Sequence, residues 1–390
     1  MFTVLSTRRK ALRFIAAAAS ALALSACDPV PSSRGPAVDL NAPVAVALIL
    51  PSGSGNSGDE VLARNLKQAA DLAIADLNGV QIDLRVYNAG SDPSTSAAMA
   101  RQAVDEGAKI ILGPVFAESA NAAAVAVSGS GVNVLSFSNN TDIAGGNLFV
   151  LGPTFQNTAN RLTRYAKRAG KSRLMLVYDN NAAGQLGNRA ISSAAAASGV
   201  TVVGAATYEF SQQGVINAAP SIASQIRSAG ADSVFFTADT AGSLPLLAQL
   251  LPEAGIAAQT VQFIGLTRWD IPSATLSMPG IQGGWFALPD PGLAQQFDSR
   301  FVAAYGESPH PIAGLAYDGI AAIGALIRSG RTDALTAAAL TQSAGFAGVN
   351  GVFRLLPNGT NERGLAVAQI QNAQVVVIDP APRSFGGAGF

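Results

Sequence analysis

The chain has 390 residues, 49 % of them hydrophobic and 13 % charged, with 25 basic and 25 acidic side chains in balance. This excludes a disordered chain, and the lack of any basic block together with only 6 % aromatics excludes an electrostatic footprint for nucleic acid. The single cysteine, Cys27, has no partner for an internal disulfide.

Arg8, Arg9, Lys10 and Arg13 precede an apolar run, 14–24, that is too short to span a bilayer as a helix. That order predicts a secretory signal over 1–26, and Leu24-Ser25-Ala26-Cys27 stands where a lipoprotein signal is cut and Cys27 lipidated. Thr7-Arg8-Arg9-Lys10-Ala11-Leu12 also resembles a twin-arginine signal, so both export routes stay open. Proline, serine and glycine over 28–43 predict a flexible tether, making 27–43 the lipidated cysteine plus leash. No later run reaches the roughly 20 apolar residues of a membrane helix, so the lipid is the sole membrane attachment expected.

Beyond the tether, β-branched apolar runs alternate with alanine-rich amphipathic stretches. The predicted order is strand 44–50, helix 62–77, strand 82–87, helix 97–106, then strands 109–112 and 133–137. The pattern restarts with strand 173–178, helix 185–197, strand 201–208, helix 220–229, strand 233–237, helix 244–254 and strand 261–265. Strand 283–288, helices 294–305 and 312–329, and late strands 351–355, 365–370 and 374–378 follow, with a tight hairpin at Asn372-Ala373. Such alternation predicts an α/β fold of parallel sheets wrapped by helices.

Leu112-Gly113-Pro114, Val132-Asn133-Val134-Leu135-Ser136, Ala316-Tyr317-Asp318-Gly319 and Gly348-Val349-Asn350-Gly351-Val352-Phe353 with Asn358-Gly359 share their order and spacing with a known family. The chain resembles, from about Val44 to Ile378, the type I periplasmic binding proteins of the leucine/isoleucine/valine class. The resemblance implies two doubly wound parallel-sheet lobes, three crossovers and an interlobe cleft. The implied N-terminal lobe is 44–153 plus 288–345 and the C-terminal lobe 154–287 plus 346–380, with 381–390 a loose tail. It places Ser52, Ser54, Gly55, Phe116, Glu118, Ser138, Asn139, Asn140, Asp239, Thr267 and Trp269 along the cleft, beyond the carboxyl ends of strands. Set against the amino-acid binders, Ala117 and Asn140 stand where hydroxyls would meet a ligand carboxylate. Ala183 and Asp239 replace aromatic walls, and Thr267 replaces the acid for an ammonium. Each lost charge-assisted contact is worth on the order of 2 kcal/mol, which argues against tight binding of a free amino acid. Asp239 remains available to a cation.

A closer resemblance is to the lipoprotein activators of penicillin-binding proteins, of the alphaproteobacterial kind. It is carried by Thr267-Arg268-Trp269-Asp270, Gly283-Gly284-Trp285-Phe286-Ala287 with Pro289-Asp290-Pro291, Gly345-Phe346-Ala347-Gly348-Val349, Glu362-Arg363-Gly364-Leu365-Ala366-Val367, and Asp379-Pro380-Ala381-Pro382-Arg383-Ser384-Phe385. It implies a non-enzymatic periplasmic protein that touches a bifunctional cell-wall synthase. The alternative is the solute-binding lipoprotein of an ABC importer, with a permease as partner and a small molecule other than a branched-chain amino acid as ligand. Asp28 resembles an inner-membrane retention signal, whereas the well-studied activators sit in the outer membrane, so either membrane stays open.

Gly53-Ser54-Gly55-Asn56-Ser57-Gly58 fits the dinucleotide fingerprint letter by letter, but the next strand ends in Tyr87-Asn88 rather than in an acid. A cleft loop offering Ser52, Ser54 and bare N–H groups is the preferred reading, with a plain turn and a nucleotide site as the others. His310, the only histidine, lies between Pro309 and Pro311 without a nucleophile or orienting partner nearby in sequence. There is no nucleophile elbow, Walker lysine or metal-ligand spacing, so neither enzyme chemistry nor a cofactor is expected. Trp269 reads equally as an aromatic anchor at the cleft rim, for a ligand or a partner, and as plain packing, and Trp285 as core or crossover packing.

Overall fold

The computed structural model describes residues 35–386. The expected signal over 1–26, Cys27 and the start of the tether lie outside the described residues. In chain order the elements are β1 (Val44–Leu50), α1 (Ser57–Ala75), β2 (Ile82–Asn88), α2 (Pro93–Asp105), β3 (Ile110–Leu112), α3 (Ala117–Val127), β4 (Asn133–Ser136) and β5 (Leu148–Val150). Then come α4 (Phe155–Arg168), β6 (Arg173–Asp179), α5 (Ala182–Ser198), β7 (Thr201–Tyr208), α6 (Gln212–Ser228), β8 (Ser233–Phe236), α7 (Leu244–Glu253), β9 (Gln262–Gly265) and β10 (Trp285–Leu288). The chain finishes with α8 (Pro291–Tyr305), α9 (Gly314–Arg328), α10 (Ala337–Leu340), β11 (Phe346–Gly348), β12 (Gly351–Leu355), β13 (Asn361–Arg363), β14 (Ala366–Gln371) and β15 (Gln374–Asp379).

β1 is buried at every position, as an unbroken apolar run must be when helices cover both faces of its sheet. It sits inside a five-stranded parallel sheet, β2-β1-β3-β4-β5. One face packs Leu48, Leu112 and Leu135 on Phe301, Ile320 and Ile323 of α8 and α9; the other packs Ile49, Ile111 and Val134 under α2 and α3. The second sheet has seven strands, β15-β14-β10-β9-β8-β6-β7, with the pairings of β14 antiparallel and the rest parallel. Phe236, Phe263 and Phe286 fill one side of it, and Phe235, Ile264 and Trp285 the other. Strand order reverses beside β1 and beside β6, so each lobe carries a switch-point crevice at its strand carboxyl ends.

The two lobes and their connections agree with the doubly wound expectation, with three differences in detail. β11, β12 and β13 form a separate three-stranded antiparallel sheet, and Phe346, Phe353 and Leu355 enter the first lobe's core. The segment expected to begin the C-terminal lobe at 346 therefore stays with the first lobe, and the third crossover falls near Asn361–Leu365. The tether ends early, since Val38 is buried in the first lobe and its N–H reaches Thr332 O at 2.9 Å. The stretch expected as a loose tail starts packed, with Ala381 buried and the Arg354 guanidinium 4.6 Å from the Phe385 ring centroid. The hairpin at Asn372 (φ 52°) and Ala373 (φ 59°) has both central residues left-handed, as a two-residue turn of the primed type requires.

Candidate functional site

The loop after β1 runs into α1 through Asn56, whose side chain caps Gly58 N–H at 2.8 Å. Ser52 Oγ donates to Glu60 Oε2 at 2.6 Å, Gly53 N–H donates to Glu60 Oε1 at 2.6 Å, and Ser54 Oγ donates to Asp59 Oδ2 at 2.7 Å. Two first-turn carboxylates thus take up the loop's hydroxyls and its leading N–H, and they also neutralise the positive end of the helix. This corrects the expectation that Ser52, Ser54 and free backbone groups face a ligand, and it removes the anion-binding basis of a nucleotide site. The hydrogen bonds from Ser52 and Gly53 hold the Glu60 carboxyl below its ordinary range. Gly55, at φ +79°, has open space where a Cβ would stand.

At the carboxyl ends of the second sheet the polar groups are likewise engaged. Asp179, buried at the end of β6, accepts hydrogen bonds from Tyr208 Oη (2.7 Å), Ser243 Oγ (2.6 Å) and Thr237 Oγ1 (2.9 Å). Burial pushes the Tyr208 phenol up, so it remains a donor to this carboxylate. Asp239 is exposed and its Oδ1 accepts Gly242 N–H at 2.6 Å, closing the turn before α7. Thr267 Oγ1 donates to Ala238 O at 3.4 Å.

Trp269 is not at the cleft. Its side chain is 0 % exposed inside the second lobe's core, 6.3 Å from the ring of Phe236. Gly265 and Gly284 make the seat: a Cβ on either would come within 2.3 Å or 2.4 Å of the indole. A bulky aromatic beside two bare backbones reads as an anchor in sequence and as a packed knob in space. Its flanking Arg268 and Asp270 pair with each other, Nε to Oδ1 at 2.9 Å.

Phe116 caps α3 without a side-chain hydrogen bond and is half-buried, while Glu118 is exposed in that helix's first turn. Ser138 is buried and its Oγ accepts Asn140 N–H at 3.1 Å. Asn139 and Asn140, with Ala183 from the expected wall position, line the open interlobe cavity, about 550 Å³. Its other walls are Thr141 and Asp142, the start of α4 at Thr154, Phe155 and Gln156, and the α5 residues Leu186, Arg189, Ala190 and Ser193. Sequence reasoning missed Asp142, Gln156 and Arg189, because neither a lone charge in an alanine-rich helix nor a residue in an unpredicted one carries a motif.

Behind the cavity the crossovers are tied together by buried side chains. Asn361 Nδ2 donates to Val150 O (2.7 Å) and Gly152 O (2.9 Å), and Asn157 Nδ2 donates to Asn361 O (2.9 Å). Arg363, 7 % exposed, reaches Leu151 O and pairs with fully buried Asp318 of α9 at 3.1 Å, whose Oδ1 also accepts Val349 N–H. Arg161 of α4 donates to Leu365 O at 2.5 Å and pairs with Asp379 at 2.8 Å. Among the described residues no group of three or more His, Cys, Asp or Glu is arranged to hold a metal, and no helix is long and apolar enough to cross a membrane.

A family model described as periplasmic binding protein matches residues 43–374. Solved structures with similar folds include a protein assigned to a branched-chain amino acid ABC transporter of Rhodospirillum rubrum, 17 % identical with TM-score 0.74, covering 86 % of this chain and 100 % of that one. A branched-chain amino acid ABC transporter periplasmic ligand-binding protein of Burkholderia xenovorans is 19 % identical with TM-score 0.67, covering 88 % and 97 %. An ABC transporter substrate-binding protein of Desulfitobacterium hafniense in complex with Leu is 18 % identical with TM-score 0.62, covering 86 % and 100 %. No curated protein sequence matches the chain.

Proposed function

The chain belongs to the periplasmic binding protein family, and on that premise we propose that it is a non-enzymatic periplasmic lipoprotein that activates a penicillin-binding protein in peptidoglycan synthesis by direct contact. The observation that carries this reading is the set of buried ties across the crossovers. A binding protein that hands solute to a permease closes about such segments. Here rotation of the second lobe would strip buried Asn157 of its acceptor, Asn361 O on the first lobe's side, at roughly 1–3 kcal/mol. The spent donors of the first loop and the self-satisfied Asp179 support the same view, since they give a free amino acid little to hold. Lipidation at Cys27 supplies the anchor, in the inner or the outer membrane, and the partner is a bifunctional synthase.

The second reading is the solute-binding lipoprotein of an ABC importer, favoured by the open cavity between the lobes. The two separate in one experiment. Full-length lipidated protein is added to a purified bifunctional synthase in detergent, and glycan polymerisation and crosslinking are followed alongside a thermal-shift screen of small solutes. Faster synthesis is the expected result. Unchanged synthesis with a solute-dependent rise in melting temperature would transfer the protein to the importer class; a solute at a hundred times its Kd adds about 2.7 kcal/mol.

A further inference from the structure

Two opposite charges face the interlobe cavity from different lobes. Asp142 follows β4 in the first lobe and Arg189 lies on α5 in the second, and among the described residues neither side chain has an ion pair or hydrogen-bond partner. Two half-used amides line the same cavity. Asn140 spends its Oδ1 on Asp142 N–H at 2.9 Å, which leaves its Nδ2 as a donor. Gln156 spends its Nε2 on Asn160 Oδ1 at 2.7 Å and Ala190 O at 3.3 Å, which leaves its Oε1 as an acceptor. A free donor and a free acceptor lining one cavity complement the C=O and N–H of a peptide group. The outer charges complement a carboxylate and an ammonium, and Phe155 and Leu186 add apolar wall.

We propose that this cavity binds a short peptide with both ends free, its carboxylate on Arg189, its ammonium on Asp142 and its amide groups on Asn140 and Gln156. A single amino acid has the charges without the amide, and a sugar has neither charge. At about 550 Å³ the cavity lies within the ordinary range for small-ligand sites. The inference does not rest on the activator reading, because such a peptide can be cargo or a wall fragment that regulates the contact.

The test is calorimetric titration of the full chain in detergent with trialanine, N-acetyl-trialanine, trialanine amide and alanine, repeated on Arg189→Gln and Asp142→Asn. Both side chains are unpaired, so unchanged melting temperatures are expected and verify folding. Trialanine should bind saturably, and blocking either end should weaken it about tenfold. Arg189→Gln should weaken trialanine by the same factor while leaving the amide unaffected, and Asp142→Asn should do so for the acetylated form. No trialanine binding up to about 10 mM, or losses from blocking and substitution that simply multiply, overturns the proposal. Binding kept by N-acetyl-trialanine but lost by the amide points to a protein C-terminus and overturns the two-ended form. Synthase activation is read separately, so either failure is identifiable.

Discussion

Trp269 shows how far a single side chain can mislead in sequence and inform in structure. Trp269→Ala removes a fully buried indole from the second lobe's core and is expected to cost about 3–5 kcal/mol, read as a lowered urea midpoint. Gly284→Ala should be comparably damaging, because its Cβ would meet the same ring at 2.4 Å. The sequence marked Trp269 as special but held no cue to burial, since Gly265, although close in sequence, and Gly284 become a seat for the ring only when β9 and β10 lie side by side. His310 gives a pH test. Burial holds its imidazole below the ordinary value near 6.5, so the unfolded chain protonates first as pH falls. Stability from this group is therefore full above pH 6.5 and declines as pH drops toward the folded-state value; His310→Asn should remove that slope in denaturation curves recorded from pH 7 to 5.

At the scale of elements, the strands were largely legible because alternating apolar runs and Asn or Gly stops leave a local trace. Helices α3 and α4 were not foreseen. Pro220 displaced the expected start of α6, which in fact begins at Gln212 and keeps that proline inside, where the exposed Ile216 four residues earlier lets water take up the freed carbonyl. The crossover ties were invisible for another reason: Asp318, Asn361 and Arg363 are ordinary polar letters until the chain brings them together. Arg363→Met should cost about 3–5 kcal/mol by stranding the buried Asp318 carboxylate. Burial already pushes that carboxyl up, so without Arg363 it takes a proton more readily and the loss should shrink as pH is lowered. Adding Asp318→Asn to Arg363→Met should recover part of the stability at neutral pH, which equilibrium unfolding of the two variants will decide.

For the whole molecule the expected consequence of the Asn157–Asn361 tie is a restricted angle between lobes. Spin labels at cysteines introduced on the outer faces, Arg101→Cys and Lys171→Cys in a Cys27→Ser background, should give one narrow distance distribution, unchanged by any solute that binds. Asn157→Ala, which removes the donor to Asn361 O, should broaden it. Two populations in the unmodified hinge would instead describe a closing protein. The broad plan of two lobes with a cleft was readable from repeated α/β alternation, which is a global property. The composition of the cleft was not, since it depends on which donors the chain spends on itself.

The second lobe is completed by the end of the chain. β10 stays an open edge until β14 pairs with it, and Arg161 waits for Leu365 and Asp379. In a chain made from its N-terminus, the first sheet has all its strands long before the second, whose edge closes only when β14 arrives. A product ended before Ala366 would carry an unpaired strand edge and a buried guanidinium with no acceptor, both open invitations to aggregation and to housekeeping proteases.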